Sequence, residues 1–271
     1  MKLKRSPHKN LRRETKAVSP AISTTILTGA VVVLLLVTIV FANNFLNLRM
    51  AENEFSAMEQ FMQNVGLQID DVAWIPGSTR TIRYASKYGY VNFETKVLNY
   101  SVYVNGEWWN FTTGILLFNM PLSCYSLGNN YYRSVYPSSR SFLNNGTSAP
   151  VSYVYVVEKL PMYDGNFIRV VIVPTIRVLK TTTTNYKFYL PVLSNGTSPR
   201  LSQRITLTGK KISVKTAGNV ANVVLRVSFP NESLGFDKFF FNFVNETVTV
   251  PTGGGVVEFY VGEVMVSLGR V

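Results

Sequence analysis

The chain has 271 residues, with 27 Lys and Arg against 15 Asp and Glu, a single His and a single Cys. One cysteine excludes an intramolecular disulfide and a cysteine metal cluster, and with His8 the only imidazole, everything downstream lacks a histidine base, triad or metal ligand. The net charge of +12 raises nucleic acid as a partner, but seven cations lie in residues 1–17 against Glu14 alone. The later ones are scattered singly, with Lys210-Lys211 the only adjacent pair and no nucleic-acid motif beside them, so no nucleic-acid partner is expected.

From Ala17 to Leu48 no side chain is ionisable. At about 1.5 Å per residue, about 20 apolar residues cross the hydrocarbon core of a bilayer, and Ile26 to Ala42 nearly suffices alone. The amino flank carries Lys2, Lys4, Arg5, Lys9, Arg12, Arg13 and Lys16, while the far flank offers Arg49 followed by Glu52, Glu54 and Glu59. The positive-inside bias then predicts a cytoplasmic N-terminus, with all residues after Asn43 outside. Ser19 suits the N-cap and Pro20 the first helical position, so the helix is expected to start near Pro20.

The basic leader, the junction Lys16-Ala17-Val18-Ser19-Pro20-Ala21-Ile22 and the uncharged helix together resemble the class III signal of archaeal type IV pilin-like proteins. The resemblance covers about the first 50 residues. It implies that a prepilin peptidase cuts between Ala17 and Val18, that the subunit polymerises through its N-terminal helix, and that an assembly ATPase and a platform protein are partners. Two other readings of the stretch stand beside it. A cleaved secretory signal could end at Val40-Phe41-Ala42, although the apolar run exceeds the usual 7 to 15 or so residues. An uncleaved signal-anchor needs only the basic flank and the apolar helix.

Beyond the membrane stretch, apolar residues recur as Leu48, Ala51, Phe55, Met58, Met62, Val65, Ile69 and Val72, in alternating steps of three and four. That is a helical stripe, which can face either a partner helix or the chain's own ectodomain. No proline interrupts Pro20 to Val72, so one helix of about 50 residues and about 80 Å is predicted, with Gly29 and Gly66 as points of bending. Ile75-Pro76-Gly77-Ser78 ends it.

The pattern then changes to period two. Leu98, Tyr100, Val102 and Val104 alternate with Asn99, Ser101 and Tyr103, and Asn105-Gly106 predicts a type I′ hairpin before Glu107 to Thr112. Further strands are expected at 151–157, 167–173, 176–180, 186–190, 204–208, 212–215, 220–229, 238–244, 247–250 and 256–266. Gly209-Lys210, Ala217-Gly218-Asn219 and Thr252 to Gly255 read as hairpin turns between them. The expected class is α+β: a long transmembrane and amphipathic helix followed by an antiparallel β-sandwich. The expected division is a leader at 1–17, a transmembrane helix at 18–48, an amphipathic extension at 49–74 and a sandwich head at 75–271.

Chemistry-bearing residues are few, and no enzyme, cofactor or metal is expected. Glu94, Glu107, Glu158 and Asp164 are carboxylates of the kind glycoside hydrolysis uses, but no spacing singles out a pair. Asp164-Gly165-Asn166 reads as a turn rather than a calcium loop, and Cys124 as a small buried thiol. Six sequons begin at Asn99, Asn110, Asn145, Asn195, Asn231 and Asn245, all beyond the membrane stretch, and mark candidate glycosylation sites. Twelve of the fifteen tyrosines lie between Tyr84 and Tyr163, a density that suits a β core and also suits stacking on sugars. The expected activity is polymerisation into a homo-oligomeric surface filament, with Gly29 and Ala30 allowing helices to approach closely. A monomeric membrane-anchored adhesin or envelope-binding protein is the alternative.

Overall fold

The computed structural model describes residues 20–162, 165–197 and 202–269, with Pro20 and Ala21 described by their backbone alone. Helix α1 (Pro20–Ala73) runs from the first described residue. It contributes to two compact units, one ending at Asn47 and the other starting at Leu48. In the first unit, residues 22–47 are helical and exposed throughout.

The second unit continues from α1 through a turn closed by Ile75 N–H to Val72 O at 3.3 Å. Eleven strands follow among the described residues: β1 (Thr79–Arg83), β2 (Tyr90–Val104), β3 (Glu107–Pro121), β4 (Tyr131–Tyr136), β5 (Leu143–Asn145), β6 (Ser152–Glu158), β7 (Phe167–Pro174), β8 (Ile176–Lys180), β9 (Asn185–Asn195), β10 (Arg204–Ser228) and β11 (Thr247–Gly269). They form one sheet in the order β4-β6-β7-β3-β2-β10-β11-β9-β8-β5, with β1 added along β10.

This single mixed sheet replaces the antiparallel sandwich expected from sequence. Two pairs are parallel, β9 with β11 and β5 with β8. A parallel pair ordinarily needs a crossover of a dozen or more residues. Here β10 and the segment after it supply the crossover, and β11 then inserts between β10 and β9. The sheet also curls on itself: Leu193 N–H of β9 donates to Thr113 Oγ1 of β3 at 2.9 Å, although three strands separate them in the sheet order.

Alternating side chains of the central strands bury both faces. Tyr153, Tyr155 and Val157 of β6 join Tyr100, Val102, Leu117, Val171 and Phe259 in one core, while Val154 and Val156 join Leu116, Phe118, Val170 and Ile172 in another. Helix residues 51–73 cover the second core. Being buried on both faces explains why β6 and β7 read as nearly unbroken apolar runs.

The β2–β3 hairpin forms at the expected turn, with φ of 48° at Asn105 and 92° at Gly106. Three other expected turns are irregularities within two long strands. Register shifts fall at Gly209/Lys211 and around 217–222, and Thr252 Oγ1 donates to Val220 O at 2.5 Å across the second of these. At Gly209 a Cβ would lie 2.5 Å from Val72 O, so the residue is small because the end of α1 passes over it. The strand expected at 238–244 is instead broken by a short helix, α2 (Lys238–Phe241). Asp237 caps it by accepting from Phe240 N–H at 2.8 Å. Consecutive rather than alternating phenylalanines suit a helical turn, which buries Phe240 and Phe241 together in the first core.

Candidate functional site

The chain's most distinctive surface is the apolar part of α1. Between residues 22 and 47 every side chain is exposed, with Leu27 and Leu34 at 66% and Phe41 at 72%. The helix is long and apolar enough to cross a membrane or to serve as a signal sequence. Contiguous apolar area on this scale far exceeds what a monomer exposes to water, so lipid or other helices are its suitable surroundings. Thr38 directs its hydroxyl to Leu34 O at 2.7 Å, a back-bond that satisfies a polar group in apolar surroundings. Gly29 has open space beside its Cα, and a Cβ added there would meet no atom within 4 Å.

The stripe in the second unit is occupied by the chain's own sheet. Ala51, Phe55, Met58, Met62, Val65 and Ile69 are all 2% exposed or less, whereas Leu48 is 52% exposed. Phe55 packs its ring 5.2 Å from Tyr125 and 6.2 Å from Phe118. Gly66 is a packing position: its Cβ would lie 2.9 Å from Ser152 Oγ, and that hydroxyl donates to Gly66 O at 2.9 Å. The residues facing outward over the same span include Asn53, Ser56, Ala57, Gln60, Asn64, Leu67 and Asp71.

Acidic residues beside the stripe tie α1 to its seat. Arg133 of β4 reaches Glu59 at 2.5 Å, and Arg177 of β8 reaches Asp70 at 2.8 Å. Glu54 holds the turn before β2, accepting from Ser86 Oγ at 2.5 Å and from the N–H groups of Lys87, Tyr88 and Gly89 at 2.9, 3.0 and 3.1 Å. Partial burial would raise its pKa, but these four hydrogen bonds outweigh burial and hold it below the ordinary value. Nothing in the local sequence marks Glu54 and Glu59 as anchors, because their partners lie 32 or more residues away.

The six sequon asparagines all lie at the surface of the second unit. Asn110, Asn145, Asn195 and Asn245 are exposed, and Asn99 and Asn231 are half-buried. Asn231 donates to Thr95 O at 3.3 Å. On the β2–β3 hairpin two sequons interlock: Ser101, the hydroxyl residue of the Asn99 sequon, donates to Asn110 Oδ1 at 2.7 Å. Thr112, the hydroxyl residue of the Asn110 sequon, donates to Asn99 Oδ1 at 3.3 Å.

The candidate carboxylates are not brought together. Glu94 of β2 accepts from Asn92, Glu107 at the hairpin tip faces Trp109 Nε1 at 3.5 Å, and Glu158 at the end of β6 accepts from Ser126 Oγ, Leu127 N–H and Gly128 N–H. Cys124 is half-buried against the helix-covered core. Ala17, Val18, the rest of the leader with His8, Ser19 and Asp164 lie outside the described residues. No family model, curated protein or solved structure matches the chain.

Proposed function

We propose that the chain is a structural subunit of an archaeal type IV pilus-like surface filament, held in the membrane by α1 until it polymerises. The observation that carries this reading is the uncharged helix at residues 22–47, exposed around its whole circumference and continuous in sequence with a helix segment whose stripe the sheet already fills. Such a surface is stable in lipid or among like helices. Polymerisation exchanges helix–lipid contacts for helix–helix contacts, and Ser23, Thr28, Gly29 and Ala30 provide the small side chains that close approach requires. The leader supplies the processing signal, and a prepilin peptidase, an assembly ATPase and a platform protein are the partners that the resemblance brings with it. The sheet unit is then the part that faces the outside, where its six sequons meet the glycosylation machinery. No catalytic role is proposed.

A second reading, a monomeric membrane-anchored surface protein, is favoured by the filled stripe. Since Ala51 to Ile69 pack on the sheet, that face is not offered to a neighbouring subunit.

Intact-mass analysis of native protein combined with electron microscopy of sheared surface filaments tests the proposal. The expected results are a mature N-terminus at Val18 and this chain identified by mass spectrometry as a filament component. A start at Met1, with the protein confined to the membrane fraction, replaces the filament reading by the anchor. A start at Asn43 replaces both by secretion.

A further inference from the structure

The outer face of the β2–β3 hairpin places a partly exposed aromatic pair beside one sequon. Trp108 is 48% exposed and Tyr103 37% exposed, and they are cross-strand partners with ring centroids 5.0 Å apart. Arg226 of β10 stands 5.7 Å from the Trp108 ring. Next on the same face come Ser101 opposite Asn110, then Asn99 opposite Thr112. Trp108 and Asn110 therefore point the same way, about 7 Å apart along the strand. Residues 107–113 of β3 pair with β2, and β9 approaches β3 at Thr113, while Asn110 itself is exposed.

The two interlocked sequons are not equivalent. Asn99 is half-buried and engages both ends of its amide, donating to Ser101 Oγ at 3.3 Å and accepting from Thr112. Asn110 is exposed, and its hydrogen bond from Ser101 uses the oxygen and not the nitrogen that would take a sugar. Asn99 and Asn110 are diagonal neighbours, so their Cβ atoms lie within about 7–8 Å. One glycan on Asn110 would cover the other site.

We propose that Asn110 carries an N-linked glycan whose first sugar lies on the Trp108–Tyr103 rings, and that Asn99 stays bare on the same molecule. The inference rests on the sheet unit being outside the membrane. The donor is a lipid-phosphate-linked oligosaccharide: a bond forms between Asn110 Nδ2 and C1 of the first sugar, the bond from C1 to the lipid phosphate oxygen breaks, and the amide proton leaves with the lipid phosphate. Aromatic faces carry large apolar area with polar rims, which suits the apolar face of a pyranose. Contact this weak becomes effective because the attachment tethers the sugar to its seat. Arg226 flanks the rings and the sequon as a donor to sugar hydroxyls.

The test uses full-length protein purified from its native membrane. Glycopeptide mapping is expected to find Asn110 occupied and Asn99 unoccupied on peptides that span both. Thermal melts would then compare Asn110→Gln with its parent in three backgrounds: Trp108, Trp108→Phe and Trp108→Ala. Loss of the glycan should lower Tm by about 2 to 4 °C where a ring is present and by less than about 1 °C in Trp108→Ala. An equal shift in all three backgrounds overturns the seat, as does a bare Asn110 or joint occupancy of Asn99 and Asn110. A bare Asn110 alongside glycosylated Asn145 or Asn245 overturns this inference while leaving the topology standing. Protease protection of the whole sheet unit in right-side-out cells sinks both.

Discussion

Gly89 donates its backbone N–H to Glu54 Oε1 at 3.1 Å, so a helix carboxylate fixes the turn from which β2 departs. Lys87 and Tyr88 N–H and the Ser86 hydroxyl share the same carboxylate. Because these bonds hold the folded pKa below the ordinary glutamate value of about 4.5, the carboxylate's contribution is fully present above the unfolded value and is lost as pH falls through the folded one. Glu54→Gln is therefore expected to destabilise the sheet unit by about 1–2 kcal/mol at pH 7. The gap from wild type should narrow as melts are taken below about pH 4.5. A gap that stays constant down to pH 3 would assign the effect to shape rather than charge.

Gly66 faces β6 at a distance that a methyl group does not fit. A Cβ there would meet Ser152 Oγ at 2.9 Å and Val154 Cγ2 at 3.1 Å, and both neighbours are buried. Alanine gains up to about 1 kcal/mol in helix propensity, but overpacking a closed core costs about 1–3 kcal/mol. Ser152 is already committed to Gly66 O, so relief is limited and the clash should win. Chemical denaturation of Gly66→Ala is expected to show a net loss of about 1–2 kcal/mol. Unchanged or raised stability would mean that the helix can lift off the sheet at little cost.

The filled stripe predicts opposite outcomes for two apolar residues little more than one turn apart. Met62 is fully buried and Leu67 is 46% exposed. Met62→Ala should cost about 2–5 kcal/mol, while Leu67→Ala should stay within about 0.5 kcal/mol of wild type. Denaturant midpoints decide this, and comparable losses for the two would place the helix in a different rotation. On the same ground, Phe55→Glu reports on the fold of the sheet unit rather than on contacts between subunits, since Phe55 lies against Phe118 and Tyr125.

The helix was legible because its signals are local: the apolar run and the three-four stripe carry it, and Ile75-Pro76-Gly77 stops it. Asn105-Gly106 marked its hairpin for the same reason. The sheet's order was not legible. Strand periodicity says which residues share a face but not which strand lies alongside, so the parallel insertion of β11 beside β9 left no trace in the pattern. Glycines were hard to read. Gly209 looked like a turn but lies inside β10, and both it and Gly66 are small because another element, distant in sequence, passes close by. Among the candidate sites, the sequons could be read from sequence, but the pairing of Asn99 with Thr112 and of Asn110 with Ser101 required the register.

Gly29 separates the filament from the lone anchor. It sits in the unit ending at Asn47, with nothing within 4 Å of a Cβ placed on it, so a larger side chain is accommodated within the chain itself. In lipid, Gly29→Leu adds apolar surface to an apolar helix and removes a helix-propensity penalty of about 1 kcal/mol, so insertion and folding of the sheet unit should be intact. Among packed helices, the same isobutyl group occupies the space that lets two backbones approach. The expected outcome is normal membrane fractionation and a wild-type melting curve, with surface filaments reduced several-fold in electron micrographs. Ala57→Leu, a change at an outward-facing helix position of the second unit, extends the test beyond the membrane segment. If Gly29→Leu cells carry as many filaments containing this chain as wild type, Gly29 is not a packing site. If wild-type protein never leaves the membrane fraction and enters no filament, the anchored surface protein takes the place of the filament subunit.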